Sequence, residues 1–295
     1  MQKKRIIILG GATAIGKSSL ALKWARDVDG EIINADSMQI YRELNMITAC
    51  PTIDDMAEIP HHLYRYLKGD DPCSAEKWRD MAQNIIDEIW KRGKVPIVVG
   101  GTGLYLKALV YGLSKVPIID ESIRKEIRDD VNENGPEQAH AKLAALDVEM
   151  ANRLAPGDSQ RIARALEVIR STSKSLLYWQ SKPAEGGLID MGADLELNIL
   201  NRNRQELYRR CDERFKRMIE QGDVINEIRE LMSYQYDKSL PVMKSLGVPQ
   251  IIDYIEAKIT KEEAITLSQT ATRQFAKRQM TWFRNQFSDW NIINL

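Results

Sequence analysis

The sequence predicts an α/β protein, a parallel sheet flanked by helices and interrupted by an all-helical insertion. Three observations carry this. Short apolar runs at Ile6–Leu9, EIINAD (31–36) and KVPIVVG (94–100) read as buried strands, and helical spacing follows the first and precedes the third. Near-continuous apolar strands separated by helices are the pattern of a parallel sheet covered on both faces. From about Ile119 to Pro183 such runs give way to charged, helix-favouring text, ESIRKEIRDDVNENGPEQAHAKLAALDVEMANRL, before LELNIL (195–200) returns to strand.

The first strand runs into Gly11-Ala12-Thr13-Ala14-Ile15-Gly16-Lys17-Ser18, spelling G-x-x-x-x-G-K-S. This is the phosphate-binding loop when strand precedes it and helix follows. Gly11 and Gly16 permit backbone angles that let successive N–H groups point at one anion. The N-terminus of the next helix adds partial positive charge. Lys17 supplies a point charge over the phosphates, and the Ser18 hydroxyl suits Mg²⁺. The helix itself is marked by Leu20, Trp24 and Val28. The fold class is therefore a P-loop NTPase-like core, residues 1–118 and 186–295, with a helical insertion at 119–185.

Composition narrows the partners. Lysine plus arginine and aspartate plus glutamate number 42 each, so bulk charge selects no polyanion and any nucleic-acid site must come from local clustering. Hydrophobic and charged fractions of 43% and 28% are those of a soluble globular chain. Cys50, Cys73 and Cys211 form no C-x-x-C, and His61, His62 and His140 have no metal spacing. Free thiols in a reducing compartment follow. The basic start MQKKR precedes an apolar run too short for a signal peptide, and no stretch is long enough for a membrane span. The expected location is the cytosol.

EIINAD ends in Asp36, followed by Ser37, Met38, Gln39, Ile40 and Tyr41. Ligands bind beyond the C-terminal ends of strands in open α/β sheets. Asp36 is thus a candidate site carboxylate, and equally a candidate cap. Residues 42–73 read as loop, with Pro51, Pro60 and Pro72. A helix spans 74–93, with Ser74 as N-cap, Gly93 as stop, and Trp78, Met81, Ile85, Ile86 and Ile89 toward the sheet. The third strand ends in Gly100-Gly101-Thr102-Gly103, which implies close backbone approach, to a ligand or merely within a tight turn. Many P-loop NTPases carry a Mg²⁺-binding Asp after an apolar strand, and its absence here argues against an ordinary ATPase.

In the insertion, Gly135-Pro136 and Pro156-Gly157 break helices, and SQRIARALEVIR sets Ile162, Leu166 and Ile169 on one face with Arg161 and Arg164 on another. A long helix, RQELYRRCDERFKRMIEQG, carries excess basic residues and ends at Gly222. In the last helix Arg273, Lys277 and Arg284 fall within about 40° on a helical wheel, opposite Phe275 and Trp282. That basic stripe suits a phosphate backbone, and equally a solvated face.

GATAIGKS, ADSMQIY, PHHLY, VGGTGLYLKAL, DSQRIARALEV and TRQFAKRQMTWFR, in this order, resemble the tRNA dimethylallyltransferases, and the resemblance runs to about Arg284. It implies transfer of a dimethylallyl group from dimethylallyl diphosphate to N6 of the adenosine 3′ of the anticodon. It further implies Mg²⁺ as cofactor, the tRNA anticodon stem-loop as partner, and a monomer without membrane attachment. Carried over by position, the catalytic residues are Asp36 as general base with Lys17 and Arg214 on the leaving diphosphate. Gly11 to Ser18 bind the diphosphate. Asp36, Ser37, Met38 and Gln39 receive the target base. Thr102, Arg124, Gln160, Arg161, Ile162, Ala163 and Arg164 contact tRNA, joined by Arg273 and Lys277 of the stripe.

The chain departs from the family at Ala12, where Pro is usual, at Ile15, where Ser is usual, and at Cys50, where Lys is usual. Lys244 to Pro249 also differ, and the C-terminal zinc finger of eukaryotic members is absent, so this looks like the bacterial form. Two alternatives are a prenyltransferase of free adenine nucleotides and a small-molecule P-loop kinase. A third is an RNA-binding protein with a relic loop. The helical insertion and basic stripe favour tRNA over free nucleotides, and intact Lys17, Ser18 and Asp36 favour an enzyme.

Overall fold

Residues 4–295 are described by the computed structural model, and the basic start at Met1–Lys3 lies outside them. Contacts divide the chain into two compact units, Met1–Val110 with Met191–Leu295, and Tyr111–Asp190.

The apolar runs become the central strands of the first unit. In chain order it contains β1 (Arg5–Gly10), α1 (Lys17–Val28), β2 (Gly30–Asn34), α2 (Ile53–Glu58), β3 (His61–His62), α3 (Ala75–Lys91), β4 (Val95–Gly100) and α4 (Gly103–Tyr111). The second unit holds β5 (Leu113–Ser114), α5 (Glu121–Asn134), α6 (Pro136–Leu146), α7 (Val148–Arg153), α8 (Ser159–Thr172), α9 (Leu176–Gln180) and β6 (Ala184–Glu185). The chain then re-enters the first unit through β7 (Asp194–Asn201), α10 (Arg204–Glu220), α11 (Val224–Ser233), a 3₁₀ turn, α12 (Val248–Ile255), α13 (Lys261–Gln286) and β8 (Asn291–Asn294).

Six strands form one sheet in the order β3-β2-β4-β1-β7-β8, and every pairing is parallel. Ile6, Ile8, Leu9 and Ile33 are fully buried, each contributing roughly 1.5–3 kcal/mol of burial. Helix α3 follows its spacing: Trp78, Ile86 and Ile89 are buried with Ala82, while Met81 and Ile85 are half-buried. Ser74 Oγ accepts the Lys77 N–H at 3.0 Å, completing the predicted cap.

Two readings need correction. Residues 42–73 are not all loop, because Thr52 and Asp55 make a reciprocal capping box that starts α2, and His61-His62 is the edge strand. His62 Nε2 lies 2.7 Å from the buried Glu31 carboxylate, which Arg92 also holds at 2.7 Å, so a charged cluster rather than apolar burial fixes that edge. Helix α1 forms where Leu20, Trp24 and Val28 mark it, and these three half-buried residues pack beside the buried Ala21 and Ala25. Strand β8, absent from the sequence reading, pairs Ile292 with Ile199 at the opposite edge. Four residues after a long helix carry too little periodicity to be seen.

The second unit folds as its breaks predict. Gly135 ends α5, and Pro136 opens α6 where its missing N–H costs nothing. Ile127, Val131, Leu143, Ile162 and Leu166 make its core, and β5 and β6 pair antiparallel.

Candidate active site

In the sheet order, β4 stands between β1 and β2, with Gly10 beside Gly100 and Asn34 beside Val99. The phosphate loop leaves β1, the Asp36 segment leaves β2, and the Gly100-Gly101-Thr102 turn leaves the strand between them. This is the ligand edge of an α/β sheet.

The loop is held from several sides. Lys17 Nζ donates to the Ala12 carbonyl at 2.8 Å. From α10, Arg210 Nε donates to the Ala14 carbonyl at 2.9 Å and Arg214 to Thr13 Oγ1 at 2.6 Å. Among the described residues none of these three cations has a carboxylate within 4.0 Å. Burial pushes the Lys17 ammonium down to about 8, opposed by the Asp36 charge and assisted by the Arg214 charge. Burial also lowers Arg214, opposed by Cys211 and Asp36. The amides of Gly16, Lys17 and Ser18 have no hydrogen-bond partner among the described residues. Partly desolvated cations beside free helix N-terminal amides are complementary to a compact polyanion. The departures Ala12 and Ile15 are fully buried, so their side chains fill core while the loop backbone keeps its course.

Asp36 caps the turn that leaves β2. Its Oδ1 accepts the Met38 N–H at 2.9 Å, and among the described residues the half-buried carboxylate forms no ion pair within 4.0 Å. A carboxylate oriented by one amide and unquenched by a salt bridge can still take a proton. The buried Asn34 fixes its backbone: Asn34 Oδ1 accepts the Asp36 N–H at 2.8 Å and Asn34 Nδ2 donates to the Asp36 carbonyl at 3.0 Å. Ser37 N donates to Thr102 Oγ1 at 2.9 Å, bringing together two of the predicted contacts. Gln39 Nε2 donates to the carbonyls of Thr48 and Ala49, both at 2.9 Å, so its amide orders the loop beside Cys50. Burial raises the Cys50 thiol to about 12, leaving a neutral group where a lysine is usual.

The glycine turn approaches the protein itself. A Cβ on Gly100 would lie 2.0 Å from the Ala35 carbonyl oxygen, one on Gly101 2.3 Å from Gln279 Nε2, and one on Gly103 2.0 Å from the Trp282 ring. Each of these glycines makes room for a neighbouring part of the protein.

Of the predicted RNA contacts, the side chains of Ile162 and Ala163 require correction. Ile162 and Ala163 are 0% and 7% exposed and face the core of the helical unit, because the apolar spacing of α8 turns them inward. In the stripe, Arg273 is bound to Asp212 on α10 at 2.6 Å and ties two helices together, whereas Lys277 and Arg284 are exposed. Gln160 and Arg161 are exposed, Arg161 pairing with Asp158 at 3.1 Å. Arg124, Arg128 and Arg164 gather around Glu167, which is 1% exposed, at 3.9, 3.0 and 3.2 Å.

Residue patterning missed Arg210, Asn34, Gln279 and Glu167. Arg210 lies one turn before Arg214, the i, i+4 spacing that puts both on one helix face. Asn34, Gln279 and Glu167 are polar residues inside apolar faces, a pattern that marks buried hydrogen-bonding groups.

The sequence and fold have known counterparts. A family profile described as IPP transferase matches residues 39–286. A tRNA dimethylallyltransferase of Sphingopyxis alaskensis is 44% identical over 280 residues, covering 95% of this chain and 89% of that one. The crystal structure of a tRNA isopentenylpyrophosphate transferase from Bacillus halodurans aligns with a TM-score of 0.69 at 32% identity, covering 99% of this chain and 90% of that one. A eukaryotic dimethylallyltransferase, captured acting on tRNA, aligns with a TM-score of 0.76 at 26% identity, over 98% of this chain and 73% of its own. On this extent of likeness, in sequence and in fold, the chain belongs to the IPP transferase family of tRNA dimethylallyltransferases.

Proposed function

We propose that the protein transfers a dimethylallyl group from dimethylallyl diphosphate to N6 of the adenosine next to the anticodon on its 3′ side. The observation that carries this reading is the pairing of an anion site, built from Lys17, Arg210, Arg214 and free loop amides, with an unpaired carboxylate, Asp36, one strand removed.

The diphosphate lies on the amides of Gly16, Lys17 and Ser18, with Lys17 and Arg214 turning from loop oxygens to phosphate oxygens. The adenosine, splayed from the anticodon loop, is received by residues 36–39 with Thr102 beside them. N6 attacks the carbon bearing the diphosphate. The carbon–oxygen bond breaks with its electron pair on the leaving group, and the N6 proton passes to Asp36. Fixed cations and amides that meet the charge as it develops lower the barrier without reorganising.

The donor set also fits Mg²⁺ shared with substrate. The Ser18 hydroxyl is exposed and without a hydrogen-bond partner, and no cluster of three His, Cys, Asp or Glu among the described residues builds a protein cage. Mg²⁺ usually binds through few protein ligands plus phosphates and water. Held by Ser18, the ion would supply charge neutralisation of the diphosphate.

Arg124, Gln160, Arg161 and Arg164 of the helical unit, with Lys277 of α13, contact the tRNA backbone. The protein acts as a monomer in the cytosol. No helix among the described residues is long and apolar enough to cross a membrane.

The test is incubation with dimethylallyl diphosphate, Mg²⁺ and unmodified tRNA, beside parallel reactions with AMP and ATP, read by nucleoside mass spectrometry. Isopentenyladenosine from tRNA alone is expected. Product from AMP or ATP would move the protein to free nucleotides, and product from none would overturn the reading.

A further inference from the structure

The phosphate loop and the Asp36 segment leave different strands, so their spacing must be set by something other than the chain between them. One side chain spans from the phosphate loop to the glycine turn that lies between them. Gln279, at the inner face of α13 and 6% exposed, accepts the Thr13 N–H on Oε1 at 2.8 Å. Its Nε2 donates to the Gly101 carbonyl, also at 2.8 Å. Gly101 is followed by Thr102, whose N–H donates to the Ala35 carbonyl at 3.1 Å and whose hydroxyl accepts the Ser37 N–H at 2.9 Å. Phosphate loop, Gln279, glycine turn and Asp36 segment thus form one continuous hydrogen-bonded chain.

An amide suits this place because it offers one acceptor and one donor at opposite corners. The Gly101 carbonyl is buried and the Thr13 amide half-buried, and a buried polar group without a partner is costly. The glycine at position 101 follows, since a Cβ there would collide with Gln279 Nε2 at 2.3 Å.

We propose that Gln279 is a positioning residue that sets the distance between the bound diphosphate and the nucleophile's acceptor, Asp36. This rests on the prenyl-transfer reading above. Gln279 touches neither reacting group, so its loss should fall on turnover rather than on affinity. Misplacement by about 1 Å costs on the order of a hundredfold in rate.

The experiment compares the full chain with Gln279→Met, which matches length but makes neither bond, and Gln279→Glu, which keeps the acceptor and loses the donor. Turnover and KM for tRNA are measured alongside pyrophosphate binding by calorimetry. Hydrogen exchange of peptides covering residues 10–18 and 35–40 supplies a readout independent of activity. For Gln279→Met we expect kcat to fall about a hundredfold while both affinities stay within about threefold, with exchange faster in both peptides. Gln279→Glu should lie between it and the unaltered protein. Unchanged kcat, or exchange faster in residues 10–18 alone, would overturn the proposal. If Gln279→Met does not fold, Gln279→Glu decides by the same two readouts. An unaltered protein that binds pyrophosphate but prenylates nothing sinks the functional reading instead, and the exchange arm still judges the clamp.

Discussion

Two arginine-bearing clusters solve opposite electrostatic problems. At the phosphate loop Lys17, Arg210 and Arg214 surround backbone and hydroxyl oxygens with no carboxylate partner among the described residues. In the helical unit Arg124, Arg128 and Arg164 share Glu167, whose side chain is 2% exposed while theirs are 31%, 60% and 40% exposed. The first places desolvated cations where only an arriving anion completes them. The second buries the counter-charge and holds Arg128 and Arg164 partly exposed around it. A site of the first kind suits one compact ligand such as a diphosphate, and a surface of the second suits an extended polyanion.

The comparison breaks most severely at the carboxylate beside the first cluster. Asp36→Asn keeps an acceptor for the Met38 N–H, so the turn survives while the base is lost. Turnover should fall about 10²–10⁴-fold, with tRNA affinity measured by filter binding nearly unchanged. Arg214→Ala removes one cation from the leaving group and should cost about 10²–10³ in kcat, measured under single-turnover conditions.

The unpaired lysine also predicts a pH dependence. Its folded value of about 8 lies below the 10.5 of an unfolded chain, so between these values the unfolded state binds more protons. Stability should therefore rise with pH across that window, the buried charge being a cost below it. Diphosphate binding has the opposite sign, flat below pH 8 and weaker above as Lys17 loses its proton. Calorimetry at pH 8.5 in two buffers should register proton uptake on binding, and a buffer-independent enthalpy would contradict it.

The second cluster should respond differently. Glu167→Gln frees the arginines from their shared anchor and should lower stability by about 1–3 kcal/mol in denaturant titration. It should raise KM for tRNA and leave pyrophosphate binding untouched. The smallest effects separate the members of the last stripe. Lys277→Ala should reduce the salt slope of tRNA binding by about 1, whereas Arg273→Ala, which strips Asp212 of its partner, should lower Tm and leave that slope unchanged. Equal slopes for both would restore Arg273 to the interface.

Much of this protein follows from sequence alone, where the controlling interactions are local. The apolar runs, the glycine-lysine-serine spacing, Ser74, and the Gly135-Pro136 junction each act within a few residues of themselves. Asp36 could be placed at a strand tip for the same reason. The tertiary structure decided what depends on distant partners. It showed that Gly100, Gly101 and Gly103 make room for Ala35, Gln279 and Trp282. It spent Arg273 on Asp212, turned Ile162 and Ala163 inward, and joined Thr13 to Gly101 through a glutamine 266 residues away from the first. Side-chain hydrogen bonds across such separations leave no periodicity in the text, because the fold alone brings their ends within 3 Å.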